Sequence, residues 1–423
     1  MSPDPIKILR DSFDRLLAFA GAHKALEGSM PSPPKGRTYV LAIGKAAASM
    51  AQAFEARWPS HIALEGIALT RYNHAAACQR IEVVEASHPV PDNVGQETAR
   101  RVVRNIQDLT DQDLLVCLIS GGGSALLSLP VDAVPFAEKQ SINRQLLAGG
   151  VPIDQMNCVR KHISAVKGGR LAALARPAKV HTIAISDVPG NDISVIASGP
   201  TVPDQSTRHE ALAIVQTLPN PPTSILAWLD QSQAETPKPN AEFRDDFCAV
   251  SITPESAFAN LIQSQPTAGL DVHYLGADIE GEARTVAREH AHLATAMAKT
   301  IHRPTLLLSG GETTVTIEPK TTPGRGGRNC EYLLALFCAL QGHSQIHALA
   351  ADTDGIDGSE DNAGALFNPN DWHRAVELNI DPAEALANHD SYSLFQRLGR
   401  LLITGPTRTN INDFRALYIT PAA

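Results

Sequence analysis

Residues 305–358 decide the predicted fold, and they read TLLLSGGETTVTIEPKTTPGRGGRNCEYLLALFCALQGHSQIHALAADTDGIDG. Apolar runs recur in this stretch at residues 306–308, 315–317 and 348–351, and a helical pattern covers residues 331–340. Short apolar runs separated by a helical pattern are typical of the strands and helices of layered α/β proteins. The stretch therefore predicts an α/β fold.

The loops that follow these runs are rich in glycine and in charged side chains. Glycine lets the backbone approach a ligand, arginine grips phosphate or carboxylate in a fork, and carboxylates hold a divalent metal or take a proton. In open α/β sheets, ligands bind just beyond the carboxyl ends of the strands. The candidate functional residues of this half are therefore Ser309, Gly310, Gly311, Glu312, Arg325, Arg328, Asn329, Asp354 and Asp357.

Length and local composition predict two α/β domains. A chain of 423 residues is too long for one ordinary core. Proline-rich pieces at residues 219–222 and 235–240 read as linkers, and the strand predicted at 247–252 is expected to open the second domain. We therefore place the domains at residues 1–238 and 239–423.

Charge and cysteine usage exclude several classes of protein. The net charge is −9 and no basic tract is present, which argues against nucleic-acid and membrane-surface partners. The six cysteines lack metal-binding spacing, and no apolar run approaches the roughly 20 residues of a membrane span. Residues 1–4 show no feature of a targeting signal. The sequence predicts a cytoplasmic enzyme, monomeric or homodimeric, with a small-molecule substrate.

The first half of the chain opens with a strand that leads directly into a helix. Residues 38–43 predict a buried strand, and Gly44 and Lys45 connect it to an alanine-rich helix. A glycine at this position makes an anion site, because several amide N–H groups point outward at a helix N-terminus. The helix macrodipole disfavours a lysine there. We interpret Lys45 as functional; the alternative is a surface lysine in the first helical turn.

Two further strand ends add candidates. The strand predicted at residues 81–85 leads to His88, in a loop held stiff by two prolines. His88 is either a ligand contact or a hydrogen-bonding partner within the turn. The strand predicted at 113–119 ends in Ser120, Gly121, Gly122, Gly123 and Ser124. Three consecutive glycines indicate close approach to a ligand or positive φ, and a flexible turn is the alternative.

Basic and acidic candidates follow in residues 157–192. Arg160, Ser164 and Lys167 would share one face of a helix, although a solvated charged face is the alternative. Asp187 at a strand end, with Asp192 five residues later, is a plausible metal-binding pair, and the alternative is capping of a turn.

These groups favour phosphate chemistry in a cleft between two domains. Phosphoryl transfer depends on positioning and charge neutralisation, so it needs lysine, arginine, backbone amides and carboxylates that hold Mg²⁺. The P-loop and protein-kinase motifs are absent. The dinucleotide fingerprint is also missing after the first strand, where Gly44-Lys45-Ala46 stands instead. That absence counts against a nicotinamide-dependent dehydrogenase.

Taken together and in this order, several motifs resemble the class II glycerate 2-kinases. They are residues 43–46, 87–92, 119–125, 157–171, 186–190, 198–201, 326–329 and 353–355. Residues 304–418 look like the MOFRL-type C-terminal domain of that family. The resemblance covers most of the chain and is weak at residues 206–300. One departure is Cys330, where the family pattern usually has glutamine; Glu331 is retained, so we expect adjusted contacts and preserved activity.

The resemblance implies both a fold and an activity. The fold is an N-terminal Rossmann-like parallel α/β sandwich and a C-terminal mixed α/β domain, with the site in the cleft between them. The activity is phosphorylation of the 2-hydroxyl of D-glycerate, with ATP and Mg²⁺ as cofactors and 2-phosphoglycerate and ADP as products. Family members are often labelled hydroxypyruvate reductase, so an NAD(P)H-dependent reductase is the first alternative. A non-catalytic sugar-acid sensor is the second, although holding three carboxylates at residues 352–357 is costly without a cation.

The resemblance also implies roles for individual residues. Lys45 matches the essential lysine of the family and would neutralise the transferred phosphoryl group. Arg328 would grip the developing charge or the glycerate carboxylate. Asp354 would be the general base toward the 2-hydroxyl or a ligand of Mg²⁺. The backbone amides of residues 120–124 and 309–313 would cradle phosphate or carboxylate oxygens. Asp187 and Asp192 would belong to the metal shell. Further candidates are Arg160, Lys167, His88, Arg325 and Asn329 for contact with substrate or nucleotide, and Asp357 for the metal.

Overall fold

Two sheets organise the chain, each in its own unit. The computed structural model describes residues 4–265, 269–318 and 322–422. We call Ala22–Ile252 the parallel-sheet unit, and Met1–Gly21 together with Thr253–Ala423 the mixed-sheet unit. Residues 1–3, on which the predicted lack of a targeting signal partly rests, lie outside the described residues.

The unit boundaries differ from the predicted division at residues 238 and 239. Helix α1 (Pro5–Ala20) joins the mixed-sheet unit because its apolar face packs there, with the Phe13 ring 5.5 Å from the Phe414 ring. The strand at Phe247–Ile252 was expected to open the second domain, but it pairs with residues 181–185 as an edge strand of the parallel-sheet unit. Both differences come from long-range pairing that local composition does not reveal.

The parallel-sheet unit is built on strands whose side chains are covered on both faces. The strands are β1 (Thr38–Ile43), β2 (Leu64–Arg71), β3 (Glu82–Ala86), β4 (Leu114–Ile119), β5 (Lys179–Ile185) and β6 (Phe247–Ile252). In the part of the unit that the structure describes, they form a six-stranded sheet in the order β3-β2-β1-β4-β5-β6 with all neighbours parallel. The sequences TYVLAI of β1 and LLVCLI of β4 are buried throughout, as expected for central parallel strands. This confirms the predicted Rossmann-like parallel sandwich.

The strand order places a topological switch point between β1 and β4. From β1 the sheet extends through β2 and β3 on one side and through β4, β5 and β6 on the other. Chain connections diverge at such a point and leave a crevice outside the carboxyl ends of the two strands, which is where open α/β sheets bind ligands. Gly44 and Ser120 are the first residues after these two ends.

Helices cover the parallel sheet and form a second apolar cluster beside it. They are α2 (Ala22–Ala25), α3 (Ala47–Arg57), α4 (Asn93–Gln107), α5 (Gly123–Leu126), α6 (Phe136–Ala148), α7 (Ile153–His162), α8 (Arg170–Leu174), α9 (Arg208–Gln216) and α10 (Thr223–Leu229). The apolar positions Ala99, Val102 and Ile106 of α4 pack into the core that contains β1 and β4. Helices α6, α7, α9 and α10 bury their own cluster around Ile142 and Val159.

The mixed-sheet unit has strands of both orientations. They are β7 (Asp271–Tyr274), β8 (Ile279–Glu282), β9 (Thr305–Ser309), β10 (Gly311–Thr314), β11 (Ile346–Asp352), β12 (Gly364–Phe367), β13 (Leu401–Leu402) and β14 (Asp413–Ile419). Six of the described strands form one sheet in the order β13-β12-β11-β14-β9-β7, in which β7 and β9 are parallel and the other neighbours are antiparallel. Strands β8 and β10 form a separate parallel pair. The predicted mixed α/β domain is confirmed, whereas the strand predicted at residues 315–317 is wrong because the extended segment is Gly311–Thr314.

The remaining helices pack around the mixed sheet. They are α11 (Pro254–Ser264), α12 (Ala283–Ala298), α13 (Arg328–Leu340), α14 (Asn370–Glu377), α15 (Pro382–Ala387) and α16 (Ser391–Leu398). Helix α13 is buried from Asn329 to Phe337, so its first residue, Arg328, is held in a fixed position by the packing of the whole helix. Among the residues described, no helix combines the length and apolar character needed to cross a membrane.

Candidate functional site

The loops after β1 and β4 interlock at the switch point. The Lys45 amide donates to the Gly121 carbonyl at 2.8 Å, and the Ala46 amide donates to Ser120 Oγ at 3.0 Å. A Cβ atom at Gly44, whose φ is +117°, would lie 2.3 Å from Ser120 Oγ. Glycine is therefore required at position 44 by the close approach of the two loops, and this contact fixes the backbone of Lys45.

Lys45 and His88 meet at the same glycine. A Cβ atom at Gly122, whose φ is +82°, would lie 3.0 Å from His88 Nε2 and 3.4 Å from Lys45 Cγ. The loop that carries His88 is held by Asp92, whose carboxylate accepts from the amides of Ser87 and Gly95. The structure thus brings together Lys45, His88 and residues 120–124, which the sequence predicted separately.

Gly122→Ala tests whether this close approach matters for function. The new methyl group would push against His88 and Lys45, and its backbone strain would cost about 1–2 kcal/mol of stability. We expect the variant to lose most of its activity while it remains folded. Gly150→Ala is the matched control, because Gly150 has a φ of +62° and nothing within 4 Å of its added Cβ. Equal activity of the two variants, measured at equal folded fraction, would contradict the assignment.

The basic residues do not share a helical face as predicted. Helix α7 ends at His162, because residues 163–165 turn to pair with residues 129–131 through a bridge between Pro130 and Ser164. Lys167 lies beyond the helix, is buried, and donates from Nζ to the carbonyl and Oγ oxygens of Ser124, both at 2.7 Å. Arg160 remains on α7 and donates to Asn143. Lys167 is nevertheless in direct contact with the loop after β4.

The two aspartates proposed as a metal pair have different surroundings. Asp187 lies two residues beyond the end of β5 and is half-buried. Asp192 is exposed, and its Oδ1 accepts from the Ser194 amide at 2.8 Å. This hydrogen bond caps a turn, which was the predicted alternative to metal binding. Across the described ranges, no group of three or more histidine, cysteine, aspartate or glutamate side chains is arranged to hold a metal ion.

In the mixed-sheet unit, Arg328 is the centre of an ion-pair network. Its Nε donates to Asp413 at 2.8 Å, one terminal nitrogen donates to Asp352 at 3.0 Å, and the other pairs with Glu312. Burial alone would lower the pKa of Arg328, but the three carboxylates raise it above its ordinary value. Arg328 therefore holds three carboxylates, and its contact with the half-exposed Glu312 is the one open to solvent.

Asp413 at the start of β14 is the second centre of this network. It is fully buried and accepts from Arg415 at 2.7 Å, from the Asn329 side chain at 2.8 Å and from the Thr313 amide at 3.1 Å. Burial alone would raise its pKa, but Arg415 and Arg328 hold the pKa of this carboxyl below its usual range. Asp413 and Arg415 were not predicted from the sequence because no glycine-rich loop marks them. A carboxylate and an arginine two residues apart in the apolar strand DFRALYI were the available signal.

Asp413→Asn should destabilise the mixed-sheet unit strongly. The change leaves Arg415 without its buried carboxylate partner, and removal of one member of a buried ion pair costs about 3–5 kcal/mol. The measurement is the thermal denaturation midpoint. Glu360→Gln is the control, because it removes the partner of the solvent-exposed Arg325, and exposed pairs contribute little to stability. A wild-type midpoint for Asp413→Asn would contradict the role given to this network.

The predicted anion cradle at residues 309–313 has a structural use of its own. The Gly310 amide donates to the Gly276 carbonyl at 2.8 Å, and the Thr313 amide donates to Asp413. A Cβ atom at Gly311, whose φ is +111°, would lie 2.1 Å from the Ile279 carbonyl oxygen of β8. Glycine is needed there for the pairing of β8 and β10, and these two amides already have acceptors within the protein.

The aspartate-rich loop after β11 is buried and internally bonded. Asp354 is 2% exposed; its amide donates to Asp352 at 3.0 Å and its Oδ1 accepts from the Ile356 amide at 2.8 Å. Asp357 accepts from the Asn329 and Cys330 amides at 2.9 and 2.8 Å and so caps α13. Burial raises the pKa of Asp357 to about 6 despite these two hydrogen bonds. Both oxygens of Asp357 therefore serve the helix end.

Three other residues of this region have structural partners. Arg325 forms a surface ion pair with Glu360 and its guanidinium carbon lies 4.1 Å from the centre of the Tyr392 ring. The buried Cys330 Sγ accepts from the Asn362 side chain at 3.2 Å. Glu331 pairs with Arg284 at 2.6 Å and with His389 at 2.9 Å.

Known proteins are similar to nearly the whole chain. A domain of unknown function (DUF4147) matches residues 7–230, and the MOFRL family matches residues 305–413. The chain is 46% identical to a putative hydroxypyruvate reductase of Agrobacterium vitis, over 98% of this chain and 94% of that one. It is 35% identical to the D-glycerate 2-kinase of Thermotoga maritima, over 92% of each chain. A crystal structure of glycerate kinase from Thermotoga maritima matches with a TM-score of 0.87 and 33% identity, over 99% of this chain and 100% of that one.

The switch-point fold and these similarities place the chain among the phosphotransferases. More narrowly, it belongs to the class II glycerate kinase family, which confirms the resemblance inferred from its motifs.

Proposed function

We propose that this protein transfers the γ-phosphoryl group of ATP to the 2-hydroxyl of D-glycerate, releasing 2-phosphoglycerate and ADP. The observation that carries the proposal is the position of Lys45. It lies at the switch point of a Rossmann-type sheet, on a backbone fixed by Gly44 and Ser120, beside the glycine loop after β4. A lysine and backbone amides held in this way neutralise charge on a transferred phosphoryl group without reorganising during the reaction.

We propose distinct roles for the predicted catalytic residues. Lys45 neutralises the transferred group, and Asp354 accepts the proton of the 2-hydroxyl or holds the cation. Arg328 grips the anionic ligand with the nitrogen that now pairs with Glu312, because an ion pair near the surface contributes little and exchanges partners readily. The other two contacts of Arg328, to Asp413 and Asp352, keep its side chain in place.

Different residues are candidates for binding the nucleotide phosphates and for binding Mg²⁺. The loop after β4 suits phosphate: among the described residues, the amides of Gly121 and Gly122 donate to no backbone carbonyl. For Mg²⁺, a cage made only of protein side chains is not required, since the ion usually keeps several waters and is bound through one or two carboxylates and the nucleotide phosphates. Asp187 and Asp354 are our candidates for those carboxylates, because Asp357 caps a helix and Asp192 caps a turn.

A reductase is the alternative that needs a direct test. The strand order of the parallel sheet also occurs in dinucleotide-binding proteins, and the Agrobacterium relative bears the reductase name. The first loop, however, has Gly44-Lys45-Ala46 in place of the glycine-rich fingerprint. We interpret the reductase label as a misnomer for this chain.

A coupled assay separates the candidate activities. Wild-type protein is given D-glycerate, ATP and Mg²⁺ with ADP release followed, and in parallel hydroxypyruvate and NADH with NADH oxidation followed. We expect ADP release that depends on D-glycerate and no oxidation of NADH. NADH oxidation without ADP release would establish the reductase instead. Thermal stabilisation by D-glycerate without either turnover would indicate the sugar-acid sensor.

A further inference from the structure

Two buried lysines and one half-buried arginine lie near the loop after β4. We call them the basic cluster: Lys139 on α6, Arg160 on α7 and Lys167 between α7 and α8. Lys139 and Lys167 are only 3% and 2% exposed. Lys139 was not among the predicted site residues, because a lone lysine in a helical pattern is normally solvent-exposed.

The cluster is linked to the switch-point loop by serine hydroxyls. Lys167 Nζ lies 2.7 Å from both the carbonyl and Oγ oxygens of Ser124, and Ser124 Oγ lies 2.7 Å from Ser198 Oγ. Lys139 Nζ donates to the Oγ of Ser128, which lies four residues after Ser124 in the chain. Ser124 and Arg160 are half-buried, whereas Lys139 and Lys167 are buried.

The three basic side chains interact electrostatically with one another, and no carboxylate is paired with any of them among the described residues. Burial, followed by the charges of Lys139 and Arg160, lowers the pKa of Lys167 well below its ordinary value. Burial and the charge of Arg160 lower the pKa of Lys139 to about 7. Among the described residues, none of the three forms an ion pair with aspartate or glutamate, whereas the adjacent Lys161 pairs with Asp204 at 3.1 Å.

Such an arrangement is unfavourable without a ligand. Lysine and arginine are seldom buried unless an opposite charge compensates the lost hydration. The neighbouring polar groups are serine hydroxyls, the Ser124 carbonyl oxygen and the Asn143 amide, and none of them carries a compensating negative charge. Without such a charge the two lysines lose their protons more easily, as their lowered pKa values show, and a bound anion would keep them protonated.

We propose that the basic cluster binds a small oxyanion, either a carboxylate or a phosphate group, and that Lys139 is a binding residue in addition to Arg160 and Lys167. The inference rests on the proposed function, because the reaction brings two such groups to this unit: the carboxylate of glycerate and the phosphates of the nucleotide. Lys167 contacts the residue that follows Gly122 and Gly123, so an anion bound here is connected to Lys45 through a single loop.

Calorimetric titration of the full-length protein tests the site without requiring turnover. Inorganic phosphate, D-glycerate and ADP are titrated separately into the wild type, Lys139→Met and Lys179→Met. Lys179→Met is the matched control because Lys179 is an exposed lysine of the same unit. We expect Lys139→Met to weaken at least one of the three ligands by at least about tenfold, the usual effect of losing one hydrogen bond to a charged group. Lys179→Met should bind like the wild type.

The pattern of loss identifies the source of the anion. Weaker binding of D-glycerate alone assigns the cluster to the substrate carboxylate, and weaker binding of phosphate and ADP assigns it to the nucleotide. If Lys139→Met does not fold, Arg160→Gln replaces it, since Arg160 is less buried and its side-chain hydrogen bonds are to Asn143 and Met156. Ser128→Ala, which removes the hydroxyl but keeps the charge of Lys139, should retain more affinity than Lys139→Met.

Two results would overturn the inference. The first is wild-type affinity of both Lys139→Met and Arg160→Gln for all three ligands. The second is a wild type that binds none of the three. The failure of the proposed function has a different signature. A wild type that binds these anions through Lys139, but releases no ADP from ATP and D-glycerate, would contradict the kinase activity and leave the oxyanion site in place.

Discussion

Replacement of Lys45 by alanine should lower kcat by about 10²–10³-fold, the usual effect of removing one preorganised charge-stabilising group from a transition state. The backbone at this position is held by the Gly121 carbonyl and by Ser120 Oγ, both of which the substitution leaves in place. We therefore expect a folded protein whose KM for ATP changes less than its kcat. Steady-state ADP release measures both constants.

The matched control for Lys45→Ala is Lys35→Ala, which removes an exposed lysine from the same unit. Its kcat should equal that of the wild type. Turnover of Lys45→Ala close to the control would remove this lysine from the mechanism, even if glycerate kinase activity itself is present.

Asp354→Asn should abolish phosphoryl transfer while ATP still binds. Loss of a general base costs about 10²–10⁴-fold in rate. The local fold should survive, because an asparagine Oδ1 still accepts the hydrogen bond from the Ile356 amide. Rapid-quench measurement of product and calorimetric titration of ATP report the two properties separately.

A control variant and a change in Mg²⁺ concentration distinguish the two proposed roles of Asp354. Asp381→Asn is isosteric in the same way and changes an exposed aspartate that caps α15, so its turnover should be unaffected. If Asp354 holds the cation, a higher Mg²⁺ concentration should restore part of the rate; if it is the base, it should not. Asp354→Asn with turnover like that of the control would mean that neither role belongs to this residue.

The strands that build the candidate site were predictable because their information is local. Strands β1 and β4 are continuous apolar runs, and each ends in a residue pattern that has few structural explanations. Their common edge follows from the rules for parallel sheets. The proximity of Lys45, His88 and Gly122 could therefore be predicted from the sequence once β1 and β4 were placed next to each other in the sheet.

The failures arose where a distant segment decides the local structure. In the sequence, the helical pattern through Arg160 continues to Lys167. In the structure, residues 163–165 leave the helix and pair with residues 129–131. The glycines at 310 and 311 resemble a ligand loop, although a contact with β8 requires the second of them. Asp413 lies 85 positions from Arg328, so the local sequence around either residue does not indicate that the two pair.

The boundary between the units shows the same limitation. Composition favoured a division near the proline-rich linkers, but α1 packs with β14 through Phe13 and Phe414. A first helix that joins the core of a C-terminal sheet leaves no trace in local composition. Its apolar face only shows that the helix packs against some partner.

The ³¹P NMR spectrum of the reaction product shows directly which hydroxyl of D-glycerate receives the phosphoryl group. Wild-type protein is incubated with ATP, Mg²⁺ and D-glycerate, and the new phosphate ester signal is recorded with proton coupling. Transfer to the 2-hydroxyl places the phosphate on a carbon that bears one hydrogen, so we expect a doublet. A triplet would place it on the CH₂ carbon and contradict the proposed site of transfer, and the absence of any new ester signal would contradict the kinase activity itself.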